Sequence, residues 1–96
     1  MTLLQPDEIQ AGLSALPGWS GDTAGLRRDY RFVDFAAAIE AVGRIAEVAE
    51  AMNHHPDIDI RWNTVSLTVA THSEGGVTAG DLELAGRISA VADADH

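Results

Sequence analysis

Two stretches in the second half of the chain alternate between apolar and polar residues, which is the period of a strand with one buried face. The first runs from residue 57 to residue 62 and the second from residue 64 to residue 71, with Asn63 as the turn residue between them. The pattern predicts an antiparallel hairpin. The positions on its inward face are Ile58, Ile60, Trp62, Val65, Leu67 and Val69.

The first and last helices are indicated by their N-terminal caps and by apolar residues at three- and four-residue steps. Gln5 caps the first helix, Pro6 lies in its first turn, and the Pro-Gly pair at 17–18 ends it. Thr78 and Asp81 form a capping box for the last helix. The apolar stripes are Ile9, Leu13 and Leu16 in the first helix and Leu84, Ile88 and Val91 in the last.

The second helix is predicted to begin at the cap residue Asp34 and to stop near Asn53. It stops there because Pro56 biases the preceding residue away from helical geometry. The apolar stripe predicted to face the core consists of Phe35, Ile39, Val42, Ala46, Ala49 and Met52.

A further strand region is predicted between the first two helices, after a turn region at 21–25. Its alternation is imperfect because Arg28 interrupts the apolar face. That face is formed by Leu26, Tyr30 and Phe32. We therefore predict an α+β fold in which three helices pack on one face of an antiparallel four-stranded sheet, in the order α-β-β-α-β-β-α. The other face of the sheet is left open, which favours a second subunit or a ligand there.

Length and composition restrict the class of protein. A chain of 96 residues that is 46% hydrophobic indicates one domain spanning 1–96. It has no cysteine and no signal-peptide pattern at its start, so we expect a cytoplasmic protein. A net charge of −9 opposes nucleic acid and anionic lipid, and no apolar run reaches the ~18 residues of a membrane span. Residues 93–96 are predicted to fray, and His96 is given no role.

Three of the four histidines fall at the two ends of the predicted hairpin. His54 and His55 follow the second helix and precede Pro56, and His72 follows the second strand of the hairpin. Strand parity places His72 away from the core face, and the hairpin folds it back toward the other two. Imidazole titrates near neutral pH, so such a group suits general acid–base catalysis.

Plainer explanations exist for each of these residues. A histidine pair suits a helix C-terminus, because the helix dipole stabilises positive charge there. His72 alone suits a surface position at the end of a strand. Glu50 fits a solvated helix face, Asp81 is explained by the capping box, and Trp62 by packing on the sheet.

A zinc site is the rival chemistry, because three histidines and an aspartate are suitable ligands. Adjacent histidines in an extended chain point apart, however, and the helical His-Glu-x-x-His spacing is absent. We therefore predict no metal.

The spacing of several residues resembles the signature of the pterin-4a-carbinolamine dehydratases. The pattern extends over most of the chain and includes the Gly75-Gly76 turn, Leu84-Ala85 and the Leu-Pro-Gly-Trp run at 16–19. Many members carry an acid and then an aromatic residue after His-His-Pro, whereas here Asp57 is followed by Ile58. The residues that carry the resemblance are Glu50, His54, His55, Pro56, Trp62, Thr71, His72 and Asp81.

The resemblance implies a hydro-lyase that dehydrates 4a-hydroxytetrahydrobiopterin to quinonoid dihydropterin. This reaction recycles the pterin for aromatic amino-acid hydroxylation and uses neither a metal nor an organic cofactor. The expected partners are the pterin substrate, a second subunit in a homodimer or homotetramer, and a hydroxylase of the same pathway. The family also includes a dimerisation cofactor of a transcription factor, so a non-catalytic protein-binding module is the alternative.

The resemblance also assigns roles to individual residues. His54 and His72 would be general acids for the leaving hydroxyl, and His55 would bind the pterin and serve as base. Glu50 lies four residues before His54 and is expected to favour its protonated form. Asp81 is expected to orient a histidine or to bind the pterin edge. Pro56, Trp62 and Thr71 complete the expected substrate-binding set.

Overall fold

The structure is a computed structural model that describes residues 2–93, and the predicted α+β order is confirmed within that range. Its elements are α1 (Pro6–Leu13), β1 (Ser20–Asp22), β2 (Gly25–Arg31), α2 (Phe35–Met52), β3 (Asp57–Arg61), β4 (Thr64–Val69) and α3 (Ala79–Ala92), with a 3₁₀ turn at His72–Glu74 before α3. None of the described helices is long and apolar enough to cross a bilayer. Asp93, the first residue of the tail predicted to fray, is instead held by Arg28 at 3.1 Å and by the Tyr30 hydroxyl at 2.7 Å. Residues 94–96, with His96, lie outside the described residues.

The four strands form one antiparallel sheet in the order β1-β2-β4-β3. The predicted hairpin is β3–β4, in which Ile60 pairs with Val65. The fourth strand, β1, lies partly within the region predicted as a turn. Its Gly21 has φ +147, and a Cβ there would lie 2.2 Å from the Gly25 carbonyl oxygen. Only glycine allows the two strands to approach this closely.

The helices cover one face of the sheet and form a single core with it. The large residues at its centre are at most 1% exposed, and burial of each such aliphatic side chain contributes about 1.5–3 kcal/mol. They are Leu26, Tyr30, Ile45, Val65, Leu67, Val69, Leu84 and Ile88. The opposite face of β2, with Arg27, Asp29 and Arg31, is polar.

Arg28 explains the broken alternation of β2. Its side chain is on the core side at the rim of the sheet and is only 12% exposed. The guanidinium lies 4.1 Å from the centre of the Tyr30 ring, donates to the Pro17 carbonyl at 2.9 Å and pairs with Asp93 at 3.1 Å. The arginine stem packs on the core while its charged head is satisfied at the rim.

The apolar face of α2 differs from the predicted stripe. Ala49 of that stripe is buried, but Ala46 is exposed, and Phe35 and Ile39 are 53% and 44% exposed. Small side chains allow the helix to lie close to α3 and to the sheet, which turns the bulky residues outward. The residues that α2 buries are Ala38, Ala41, Ile45 and Ala49.

Helix α1 ends at Leu13, four residues earlier than the predicted Pro-Gly stop. The chain then tightens into three-residue steps, in which Ala15 N–H donates to Gly12 and Leu16 N–H donates to Leu13. Pro17 disfavours helical geometry at Leu16, so the last turn cannot continue as α-helix. Leu16 nevertheless packs against the core as the stripe predicted.

Burial raises the pKa of Tyr30 to about 12, and its hydrogen bond to Asp93 contributes further. The unfolded phenol loses its proton near 10, so the folded state binds the proton more tightly between about 10 and 12. This contribution to stability is complete below pH 10 and is lost as the pH rises to 12. Because Tyr30 is the sole tyrosine, tyrosinate absorbance should show a midpoint near 12 in the folded protein. The urea-unfolded protein is the control and should titrate near 10; equal midpoints would contradict the prediction.

Candidate active site

The end of α2 sets the direction of the histidine pair. Asn53 adopts a left-handed conformation with φ 49°, which asparagine tolerates better than most residues. The His54 N–H then donates to the Ala49 carbonyl at 3.0 Å and closes the helix end. The chain therefore leaves the helical path before His54 and enters β3 through the half-buried Pro56.

His54 faces the interior and contacts the start of α3. Its Nε2 lies 2.5 Å from Oδ1 of Asp81. The His54 side chain is 15% exposed and the Asp81 side chain is fully buried. The contact joins two residues 27 positions apart in sequence. It has the geometry of a carboxylate that orients an imidazole.

The second carboxylate oxygen of Asp81 has its own donors. Oδ2 accepts from the Thr71 hydroxyl at 2.8 Å and from the Thr78 backbone N–H at 2.8 Å. The second of these bonds belongs to the predicted capping box of α3. Asp81 and Thr71 are 0% and 8% exposed, and the contacts of both are with protein groups. Their expected part in substrate binding stays a prediction, as does the alternative that Asp81 orients a histidine.

Glu50 pairs with His55, which corrects the expected contact between Glu50 and His54. The Glu50 carboxylate is hydrogen-bonded to Nε2 of His55. The helical spacing of four residues does not hold beyond Met52, because Asn53 turns the chain out of the helix. The Glu50 and His55 side chains are 75% and 54% exposed, so this pair lies at the surface.

His72 begins the 3₁₀ turn after β4 and is exposed, away from the core as expected. Regular strand geometry ends at Val69 rather than continuing to His72. A closed loop, in which Thr71 N–H donates to Gly76 at 2.8 Å, holds the turn. Within residues 2–93 no hydrogen bond joins His72 to the other histidines. Its link to His54 passes through the neighbouring Thr71 and Asp81.

Trp62 is not on the inward face of β3, contrary to the prediction. It is the first residue of the two-residue turn between β3 and β4, has φ 51° and is 69% exposed. At about 3.3 Å per residue, it lies roughly 16 Å from Asp57 at the other end of β3. The fold of one chain therefore separates Trp62 from His54 and His55.

Thr78 makes a contact near the site that the sequence pattern does not predict. Its capping position is visible in the sequence, but its hydroxyl lies 2.8 Å from the Thr71 hydroxyl. That contact joins the loop after β4 to the start of α3, and no local pattern indicates it. Among the described residues no buried side-chain nitrogen or oxygen lacks a partner.

Two cavities of the structure lie away from the three histidines. A cavity of about 400 Å³ is lined by residues 3–5, 23–24 and 75–77, and another of about 380 Å³ is lined by residues 18, 20 and 27–29. Neither includes His54, His55 or His72. Within the described part of the chain, no three His, Asp or Glu side chains converge to hold a metal ion.

The two ion pairs of the site should differ in their effect on stability. Asp81→Ala removes a buried acceptor and leaves the donors of His54 and Thr71 without a partner, so we expect a loss of about 3 kcal/mol in the free energy of unfolding. Glu50→Ala removes an exposed pair and should change it by less than about 0.5 kcal/mol. Urea denaturation measures both. Equal losses in the two variants would contradict this account of the site.

The sequence model of the family described as pterin 4 alpha carbinolamine dehydratase matches residues 2–91 of the chain. A Mycobacteroides abscessus protein that carries the provisional name pterin-4-alpha-carbinolamine dehydratase is 55% identical over 85 residues, which cover 88% of this chain and 90% of that protein. A Mycobacterium sp. (strain KMS) protein with the same provisional name is 50% identical over 93 residues, covering 97% and 99%.

Two solved structures are similar to this fold. A Brucella melitensis protein described as a transcriptional coactivator/pterin dehydratase superposes with a TM-score of 0.90 at 35% identity, covering 95% of this chain and 99% of that one. A pterin dehydratase-like protein described as a RuBisCO assembly factor in the alpha-carboxysome has a TM-score of 0.64 at 20% identity, covering 77% and 86%. The second likeness concerns the fold alone.

Proposed function

Because the chain belongs to the pterin 4 alpha carbinolamine dehydratase family, we propose that it dehydrates 4a-hydroxytetrahydrobiopterin to quinonoid dihydropterin and water. The observation that carries the proposal is the 2.5 Å contact between His54 and the buried Asp81. His55 follows His54 directly, and the turn of His72 is joined to the same carboxylate through Thr71. The product would be recycled to tetrahydropterin for an aromatic amino-acid hydroxylase. We propose that this protein acts in the cytoplasm.

The reaction needs one proton donor and one proton acceptor. The bond between C4a and the hydroxyl oxygen breaks, and that oxygen takes a proton and leaves as water. The electron pair of the adjacent ring nitrogen forms the new double bond to C4a, and a ring N–H proton passes to a base. Two imidazoles that both reach the bound pterin can carry out both transfers near neutral pH.

The structure gives different surroundings to the histidines, which supports different roles. His54 contacts a buried carboxylate, which fixes the orientation of its ring, so we assign it as a general acid together with His72. His55 is paired with the exposed Glu50 and is assigned to pterin binding and to the base step. Pro56 borders the same surface, since it follows His55 directly.

We propose further that the protein is a homo-oligomer that uses the edge of β3. In the described residues β3 pairs with β4 on one side only. If two β3 strands pair antiparallel about Asp59, each Asp57 lies across from Arg61 of the partner subunit, and each Ile58 across from the partner's Ile60. Ile58 is 37% exposed in the single chain and would be covered.

The same pairing accounts for the position of Trp62. An antiparallel edge carries the partner's Trp62 to the segment before β3, where His55 and Pro56 lie. The exposed Phe35 and Ile39 of α2 offer a second contact surface, so a tetramer can combine sheet edges with helix faces.

A second candidate function is a protein-binding module. The exposed Phe35 and Ile39 on α2 favour it, because large apolar side chains on a helix face commonly contact a partner. The Brucella melitensis structure with 35% identity is described as a transcriptional coactivator as well as a pterin dehydratase. Absence of any dehydration by the wild-type protein would favour this second candidate.

Replacement of each active-site histidine should slow dehydration. His54→Ala, His55→Ala and His72→Ala are each expected to lower the rate by roughly 10²–10⁴-fold, because each removes a proton donor or acceptor. A stopped-flow assay with enzymatically generated 4a-hydroxytetrahydropterin measures the rate. His96→Ala is the matched control and should be unaffected. Full activity in the three single variants would overturn the site, and loss of activity on chelation with recovery on zinc would establish the metal alternative.

Charged substitutions on the β3 edge and on α2 can test which surface forms the oligomer. Ile58→Lys places a charge on the β3 edge and should dissociate the pairing of sheet edges, while Ile39→Glu should dissociate contacts through α2. Ala90→Lys, on the exposed face of α3, is the control and should leave the assembly intact. Sedimentation velocity measures the mass. A wild-type monomer at micromolar concentration would contradict the oligomer.

A further inference from the structure

Two buried threonine hydroxyls form a chain that ends on the carboxylate of Asp81. The Thr78 and Thr71 hydroxyl oxygens are 2.8 Å apart, and the Thr71 oxygen is 2.8 Å from Oδ2 of Asp81. Thr78 is fully buried and Thr71 is 8% exposed. A threonine hydroxyl has one proton to donate. Because Thr71 gives its proton to Asp81, the Thr78 hydroxyl is the donor to Thr71.

The capping box does not account for this chain. A cap at the start of α3 needs Thr78 and Asp81, and the bond from the Thr78 N–H to Asp81 serves it. Thr71 lies outside α3, seven residues before Thr78, and takes no part in the cap. Valine has the same shape as threonine and suits the end of a strand, so packing alone does not require a hydroxyl at residue 71.

The position of the carboxylate determines which nitrogen of His54 can reach a substrate. Oδ2 of Asp81 accepts from the Thr71 hydroxyl and from the Thr78 N–H, which suits an ionised carboxylate. An ionised carboxylate can only accept, so we assign the proton in the contact with Oδ1 to Nε2 of His54. Nδ1 of His54 has no hydrogen bond to any residue in the described range. It is therefore the nitrogen left for proton exchange with a ligand.

We propose that Thr71 and Thr78 are positioning residues that fix the Asp81 carboxylate, so that His54 keeps its proton on Nε2 and directs Nδ1 to the substrate. In the free protein His54 is then the Nε2–H tautomer, and as a general acid its Nδ1 takes up a proton and gives it to the leaving hydroxyl. The consequence for catalysis is based on the proposed dehydration, whereas the tautomer is a property of the free protein. Thr71 thus acts through Asp81 and does not contact the pterin. Without its hydroxyl donor the carboxylate rotates more freely, and the imidazole loses its fixed orientation.

The first experiment measures the tautomer without reference to activity. Imidazole ¹⁵N shifts and the exchange of the Nε2 proton are recorded for the wild type, Thr71→Val and Thr78→Val, with His54→Gln to assign the signals. Both valine variants should raise the Nδ1–H share of His54 and speed its proton exchange. Thr71→Ser and Thr78→Ser retain the hydroxyl and should match the wild type. Thr68→Val, on β4 three residues before Thr71, is the control.

An unchanged His54 tautomer in both folded valine variants would overturn the proposal, whatever the activity. If Thr78→Val unfolds because its cap is lost, Thr71→Val decides the question, since it leaves the cap intact. Circular dichroism confirms that each variant is folded. A serine variant that behaves like the valine variant would also overturn the proposal, because the hydroxyl would not be the cause.

The second experiment tests whether Thr71 acts through Asp81. Thr71→Val should lower kcat by about 10- to 100-fold with little change in KM, because the acid is misplaced but the pterin surface is intact. In Asp81→Asn the carboxylate is absent, so adding Thr71→Val should cost no further activity. Losses that multiply, or a rise in KM alone, would place Thr71 against the substrate and overturn the positioning role. A wild-type protein with no activity would refute the dehydration, while the tautomer measurement would still decide the role of the threonines.

Discussion

A single buried carboxylate determines how the ends of three elements meet. Asp81 is fully buried, and a buried charge is tolerated only where its oxygens are satisfied by donors. Its donors come from the end of α2, from the loop after β4 and from the first turn of α3. None of these segments can shift without leaving a buried acceptor unpaired. The site is therefore as rigid as the junction of the three elements, although it lies at the surface.

The parts of the fold that local patterns determine were predictable. The period of two in β4 places Val65, Leu67 and Val69 inward because successive side chains of a strand alternate, and these three residues are buried. The residues at the caps of α1 and α3 were likewise evident, since capping depends on neighbours within four positions. The buried face of α2 was harder to predict, because apolar periodicity does not distinguish alanine from larger apolar residues. Only packing against α3 and the sheet makes the alanines face inward.

The site was predictable as a set of residues but not as a set of contacts. His54, His55 and Asp81 were chosen from their spacing, yet spacing could not show that Glu50 pairs with His55. That pairing follows from the left-handed Asn53, which ends the helical relation between Glu50 and His54. The link between Thr71 and Asp81 is a tertiary contact, and no pattern within either segment contains it.

The exposed apolar residues Ile58 and Trp62 at the edge of β3 bear on whether one chain can form the whole site. A hairpin whose strand β3 leaves one edge unpaired, with Ile58 partly exposed and Trp62 mostly exposed, is unfavourable in isolation. In the proposed dimer, pairing of two such edges would remove that cost and would bring the partner's Trp62 beside Pro56, where it could stack on a planar pterin. In the proposed dehydration, His54 and Asp81 of one chain supply the acid, whereas Trp62 of the same chain lies beyond the far end of β3. We therefore infer that proton transfer is organised within one subunit, and that the aromatic wall for the substrate is completed between two.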